Sequence, residues 1–231
     1  MSGWTAERWA ASSGVLFVIV FVVGGLLPGA PADYNGSASE ISEYLTDKHA
    51  ELTVQTLLGG LVLVLFLWFL SSFAGMFREA GQRRLSTIMY GSGVAVVAIG
   101  AVGDSLTIAA AQLQPVLDSS SVQALYGASF FMYTRLFWFV AALALATGLA
   151  TLRSRALPQW YAVLTFLGLI VFLVNAVSIR QNGFFSPEGA GSFIGFPVFA
   201  LWILVSSILL VRKLGVDAAA EAPPAPSPAT A

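Results

Sequence analysis

The 231-residue chain has no cysteine and one histidine, and Asp, Glu, Lys and Arg together make up only 10% of it. Each scarcity excludes something. Without cysteine there is no disulfide, no thiolate nucleophile and no Cys-ligated zinc or iron–sulfur centre. The lone His49 cannot form a bis-His haem site or an H-E-x-x-H zinc site. A formal net charge of −1 leaves no basic footprint for nucleic acid, so no nucleic-acid partner is expected. No Walker loop, dinucleotide fingerprint or intramembrane acidic cluster is present, and neither cofactor nor metal is expected. Soluble domains carry about 25% charged residues, and a water-exposed surface for this chain cannot be built from so few.

Apolar residues, at 57%, are abundant instead. A hydrocarbon core about 30 Å thick is crossed by roughly 20 apolar helical residues, and six stretches qualify: 10–28, 53–77, 87–111, 123–151, 160–179 and 193–212. Backbone polar groups in lipid must be satisfied within their own segment, so these stretches read as helices; the alternation of a β-barrel is missing. The fold class predicted is all-α: a polytopic transmembrane bundle of six helices over 1–215, followed by an Ala/Pro-rich tail over 216–231 that is expected to be disordered and cytoplasmic.

The basic residues orient the bundle. Arg8, Arg78, Arg83, Arg84, Arg153, Arg155, Arg212 and Lys213 all flank the spans on one side, which the positive-inside rule makes cytoplasmic. Both termini are then cytoplasmic and the protein sits in the cell's inner membrane. Trp4, Trp9, Trp160 and Tyr161 fall near the inner boundary, where aromatic anchors are expected. A second reading of the first span is a cleaved signal peptide, with Ala30-Pro31-Ala32 as the small-x-small site.

The longest external loop covers 29–52. In it, Ser37-Ala38-Ser39-Glu40 matches a capping box, and Ile41, Tyr44 and Leu45 share one face. A short amphipathic helix is predicted, lying on the outer membrane surface or over the bundle mouth. Gly191-x-x-x-Gly195 predicts a close helix contact. An offset of 71 residues aligns the second and third spans with the fourth and fifth and sets Asp104 opposite Asn175, a parallel repeat in form.

Asp104 and Arg135 are the formal charges well inside the spans. A mid-bilayer charge costs roughly 2.5–3.5 kcal/mol on insertion scales, so each needs a partner or water. At 1.5 Å per residue Asp104 lies roughly 10 Å, and Arg135 roughly 18 Å, from the outer end of its span. An ion pair in the outer half of the bundle is the expectation. Gly100, Ala101, Thr107 and Ala111 share the face of Asp104, along with the bulkier Ile108, and Phe131, Trp138 and Phe139 line Arg135. Gln55, Gln112 and Asn175 fall in the outer half of their spans and complete a candidate polar cavity. The pair either fixes helix register or forms a pocket for a small amphipathic or anionic ligand.

The pattern resembles small bacterial six-span integral membrane proteins of unknown function. The likeness rests on the short first span, the external Ser39-Glu40-Ile41-Ser42-Glu43-Tyr44-Leu45 and the basic turn Arg78-Glu79-Ala80-Gly81-Gln82-Arg83-Arg84. It implies a helical bundle and no catalytic residue. The functional expectation is a non-enzymatic small-molecule-binding, transport or accessory protein whose partner is the lipid bilayer. An intramembrane enzyme acting on a lipid or isoprenoid, with Asp104 as acid or base, and a structural subunit of a membrane complex are the alternatives.

Overall fold

The computed structural model describes the backbone of residues 6–220 and the side chains of Trp9 and 11–215. Eight helices follow in order: α1 (Ala6–Leu26), α2 (Ala38–Asp47), α3 (His49–Glu79), α4 (Arg83–Leu113), α5 (Ser119–Ser154), α6 (Gln159–Ala176), α7 (Ala190–Phe193) and α8 (Gly195–Ala220). Five helical runs are long and apolar enough to cross a membrane: α3, α4, α5, α6 and the run Ala190–Gly215 through α7 into α8. The described apolar part of α1, Ala11–Leu26, is shorter. The six expected stretches lie largely on helices, with 10–28 and 160–179 overrunning α1 and α6 by two and three residues, and the chain has the architecture of a multi-pass helical membrane protein. Trp4, the side chain of Arg8 and tail residues 221–231 lie outside the described residues. Backbone helix continues to Ala220, five residues into the stretch expected to be a disordered tail.

Six helices close a ring in the order α1–α3–α4–α5–α6–α8, with α8 returning to α1. Neighbours are antiparallel where short turns join them. At the α3–α4 turn the Gly81 N–H donates to Arg78 O and the Gln82 N–H to Phe77 O. This Schellman pattern needs a left-handed residue, and Gly81 supplies it at φ 83°.

Inside the ring, aromatics fill the volume. Phe66, Phe69, Phe73, Phe77, Phe137 and Phe172 are fully buried, and edge-on or offset contacts link them to Phe17, Phe199 and Trp202. Several polar groups in this core bond across helices or back along their own, whereas Thr151 Oγ1 is buried without a partner among the described residues. Trp202 Nε1 donates to Thr165 Oγ1 at 3.1 Å, Tyr161 OH shares a hydrogen bond with Ser206, and Ser13 Oγ donates to Leu65 O at 3.1 Å. Tyr161 is therefore a core residue and not the interfacial anchor expected of it, whereas Trp160 is exposed. Outward-facing apolar stripes run along α3 (Val54, Leu57, Leu61, Val64, Trp68) and α6 (Trp160, Val163, Leu167, Ile170, Leu173) at helical spacing, as lipid-facing helix surfaces do.

The basic turns gather at one end of the bundle and the long loops at the other. At the loop end the capping box forms as expected: Ser37 Oγ accepts from Glu40 N, and Ser37 N donates to Glu40 Oε2 at 2.8 Å. Between the two positions open to it, α2 takes the bundle mouth. Ile41 and Leu45 are fully buried against Leu52, Ala110, Ala111, Val122 and Tyr126, and Gln114 Nε2 donates to Ser42 O and Thr46 Oγ1 at 3.0 and 2.9 Å.

Candidate functional site

The small-residue face of α4 turns inward as its pattern predicts. Gly100 packs between Leu63 of α3 and Leu136 of α5, and one turn further on Asp104 is half-buried. Its partner is not Arg135. The Tyr133 hydroxyl on α5 donates to Asp104 Oδ1 at 2.6 Å. The only ion pair among the described residues is Lys48–Glu51, on the surface, so the expected Asp104–Arg135 pair is corrected. The reason is helical geometry. Residues 126, 130, 133, 137, 140 and 144 repeat every three or four positions, and this seam of α5 carries Tyr126, Phe137, Val140 and Ala144 into the core. Tyr133 lies on that seam. Arg135, two residues on and about 200° round the helix, does not.

Two glycines shape the pair. A Cβ on Gly103 would stand 2.8 Å from the Tyr133 ring, and a Cβ on Gly59 of α3 would stand 2.7 Å from Asp104 Oδ2. Neither position admits a side chain while the pair keeps its place. The Tyr133 ring is also fixed edge-on against Phe196 of α8, 6.4 Å between centroids. Oδ2 accepts no hydrogen bond from a described residue; it faces α3, where the neighbouring Gly60 is open to the exterior. Asp104 lies six residues, about 9 Å, below Ala110, which is sealed by α2. The pair thus occupies a layer just beneath the cap.

Arg135 is exposed on the outside of α5, alongside the exposed Phe131, Trp138 and Phe139. Phe131 touches Tyr34 of the loop before α2, 5.8 Å between centroids, and Arg135 lies one turn, about 6 Å, below it. The first turns of α5 stand in the cap, so Arg135 lies in the outer part of the helix, two residues or about 3 Å along it from Tyr133 and so close to the level of Asp104.

The other predicted residues scatter. Gln55 is half-buried on α3, one turn from Gly59. Asn175 is buried on α6, where its Nδ2 donates to Ser192 O; a Cβ on Gly195 would stand 2.2 Å from that nitrogen. The Gly191/Gly195 motif is thus an intramolecular contact, Gly195 meeting Asn175 and Gly191 lying against Phe184. Gln112 is exposed and lines a cavity of about 350 Å³ with Thr46, His49, Ala111, Gln114 and Pro115. Asp104, Arg135, Asn175 and Gln112 do not form one cavity. No group of three or more His, Asp or Glu able to hold a metal occurs among the described residues.

A second polar cluster, unanticipated from sequence, ties the loop before α2 to the α6–α7 loop. Tyr34 is buried; its N–H donates to Glu188 Oε1 at 2.7 Å and its hydroxyl to Gln181 O at 2.9 Å. Tyr126 OH donates to Ala32 O at 3.1 Å, within the stretch that resembles a cleavage site. The Glu188 carboxyl is pushed up to about 7, chiefly by burial and with the nearby Asp33 carboxylate adding to the rise, against the lowering effect of the Tyr34 N–H. At the start of α5, hydrogen bonds from Ser120 and Ser121 hold the capping Asp118 carboxyl well below the usual range.

Comparison of the chain with protein-family models, curated proteins and solved structures gave no match.

Proposed function

We propose that the protein is a six-span inner-membrane protein with its basic end in the cytoplasm, and that it binds a small amphipathic ligand at Asp104 and Tyr133 without transforming it. The observation that carries this reading is an intramembrane carboxyl held by one phenol and no cation. Ionisable groups within spans are costly and concentrate at ligand and ion pathways. Asp104 retains acceptor capacity on Oδ2 beside the glycines of α3. The site therefore suits a ligand that donates hydrogen bonds or carries positive charge at one end and an apolar tail at the other. An anionic ligand, which an Asp104–Arg135 pocket would have favoured, does not suit it. The sixth span of this reading is α1, whose place in the ring between α3 and α8 supports it.

The test is mass spectrometry of small molecules extracted from purified wild type and from Asp104→Asn. A molecule retained by the first and lost from the second supports the reading, whereas identical extracts oppose it. With Arg135 turned away, no described cation lies beside Asp104, and this favours a second reading in which the pair performs acid–base chemistry on a lipid. Under that reading a retained molecule is converted on incubation; under ours it is recovered unchanged.

A further inference from the structure

Arg135 breaks the charge pattern of the chain. Eight of its 11 Lys and Arg residues flank the cytoplasmic ends of the expected spans. Of the three others, Lys48 pairs with Glu51 and Arg180 lies in the α6–α7 loop. Arg135 is the one of these three that sits on a spanning helix; its side chain is exposed, and no described carboxylate lies within 4 Å of it. A guanidinium on a lipid-facing surface needs a counter-charge. Its depth limits where that charge comes from. One turn above, Phe131 meets the loop residue Tyr34, and from that position a long arginine stem can reach back outward to the headgroup layer. Phe131, Trp138 and Phe139 flank it at 37, 44 and 39% exposure, an aromatic frame of the kind found at membrane–water boundaries.

We infer that Arg135, framed by Phe131, Trp138 and Phe139, is a binding site for the phosphodiester headgroup of an anionic phospholipid in the leaflet at the loop end of the bundle. The guanidinium fork matches two phosphate oxygens, and the exposed aromatics cover the upper acyl chains. The lipid is anionic because a zwitterionic one would leave the site with the net positive charge it began with. Arg135 and Tyr133 lie on opposite sides of α5, so this site is separate from the one at Asp104, and the two inferences stand or fall independently.

The full chain and its Arg135→Gln and Arg135→Lys variants are reconstituted in nanodiscs of phosphatidylcholine with a minority of phosphatidylglycerol. Retained lipid is then counted by native mass spectrometry after graded delipidation. Wild type is expected to hold one phosphatidylglycerol that Arg135→Gln holds about fivefold more weakly, from the loss of one near-surface charge. Arg135→Lys falls between, because it keeps the charge and loses the fork. The retained lipid declines with added salt and is not displaced by excess inorganic phosphate. All three proteins should melt together, since the side chain is exposed. Equal retention by wild type and Arg135→Gln overturns the inference. Displacement by inorganic phosphate also overturns it, as the site is then one for a soluble anion. So does a carboxylate of another protein chain cross-linked to Arg135, as the counter-charge is then a protein.

Discussion

Replacing Tyr133 with Phe removes one oxygen, the donor that reaches Asp104 Oδ1 at 2.6 Å. The ring keeps its place over Gly103 and against Phe196, so the change is confined to the hydrogen bond. Interhelical hydrogen bonds in membrane proteins contribute about 0.6 kcal/mol on average and about 1.7 at most. A short bond to a carboxyl that has no other described donor belongs near the upper figure. The expected coupling between Tyr133→Phe and Asp104→Leu is therefore about 1–1.7 kcal/mol, measured as a double-mutant cycle by reversible unfolding of the purified chain in mixed micelles. The same cycle with Arg135→Gln and Asp104→Leu should be additive within about 0.5 kcal/mol, as for residues that share no contact. A Tyr133–Asp104 coupling below about 0.3 kcal/mol would refute the reasoning. So would an Arg135–Asp104 coupling above about 1 kcal/mol, which is what a buried ion pair produces.

Other consequences follow from the loops and glycines. Glu188 has a folded-state value near 7, above its unfolded value, so its contribution to stability is complete below the unfolded value and is lost as pH rises through about 7. Thermal unfolding should show stability falling between about pH 4.5 and 7, and Glu188→Gln, which still accepts from Tyr34, should flatten that slope; an unchanged slope contradicts the assignment. Gly195→Ala forces a Cβ to 2.2 Å from Asn175 Nδ2 and should cost about 1–3 kcal/mol, whereas Gly60→Ala, with nothing within 4 Å, should be neutral or slightly stabilising in the same unfolding assay. Gln114→Ala removes the bonds to Ser42 and Thr46 and should speed hydrogen exchange in α2 while leaving α3 and α6 unchanged.

The elements of this structure were largely legible because lipid imposes few choices. Apolar runs of span length fell on helices, the Ser37–Glu40 spacing gave its capping box, and Gly195 of the Gly191/Gly195 motif makes a close helix contact, with Asn175 of α6, whereas Gly191 meets a loop. The site was legible by half. Asp104 lay on a face of Gly100, Ala101 and Thr107, and small residues mark a helix–helix contact. Its partner is harder to read, because formal charge points to Arg135, while the three-and-four spacing through Tyr126, Phe130, Tyr133, Phe137 and Val140 marks the buried seam of α5. That seam excludes position 135. The loop-end cluster of Tyr34 and Glu188 could not be read in advance. It joins residues 154 apart through backbone groups, and backbone donors and acceptors leave no trace in residue type. Gln114, which clasps α2, stands two residues beyond the Gln112 singled out from sequence, and at a helix end that shift decides which side chain meets the cap.

The central claim is that the intramembrane Asp104–Tyr133 pair holds a ligand bearing a hydrogen-bond-donating or cationic head. A photoreactive alkylamine tests it most directly, cross-linked to the full chain in nanodiscs and mapped by peptide mass spectrometry. The account predicts saturable labelling of the α3 and α4 peptides flanking Gly60 and Asp104. That labelling should be lost in Asp104→Asn, kept in Arg135→Gln, and competed by an unlabelled alkylamine but not by an alkyl carboxylate. Labelling spread evenly over the lipid-facing stripes of α3 and α6, or unchanged in Asp104→Asn, would contradict it.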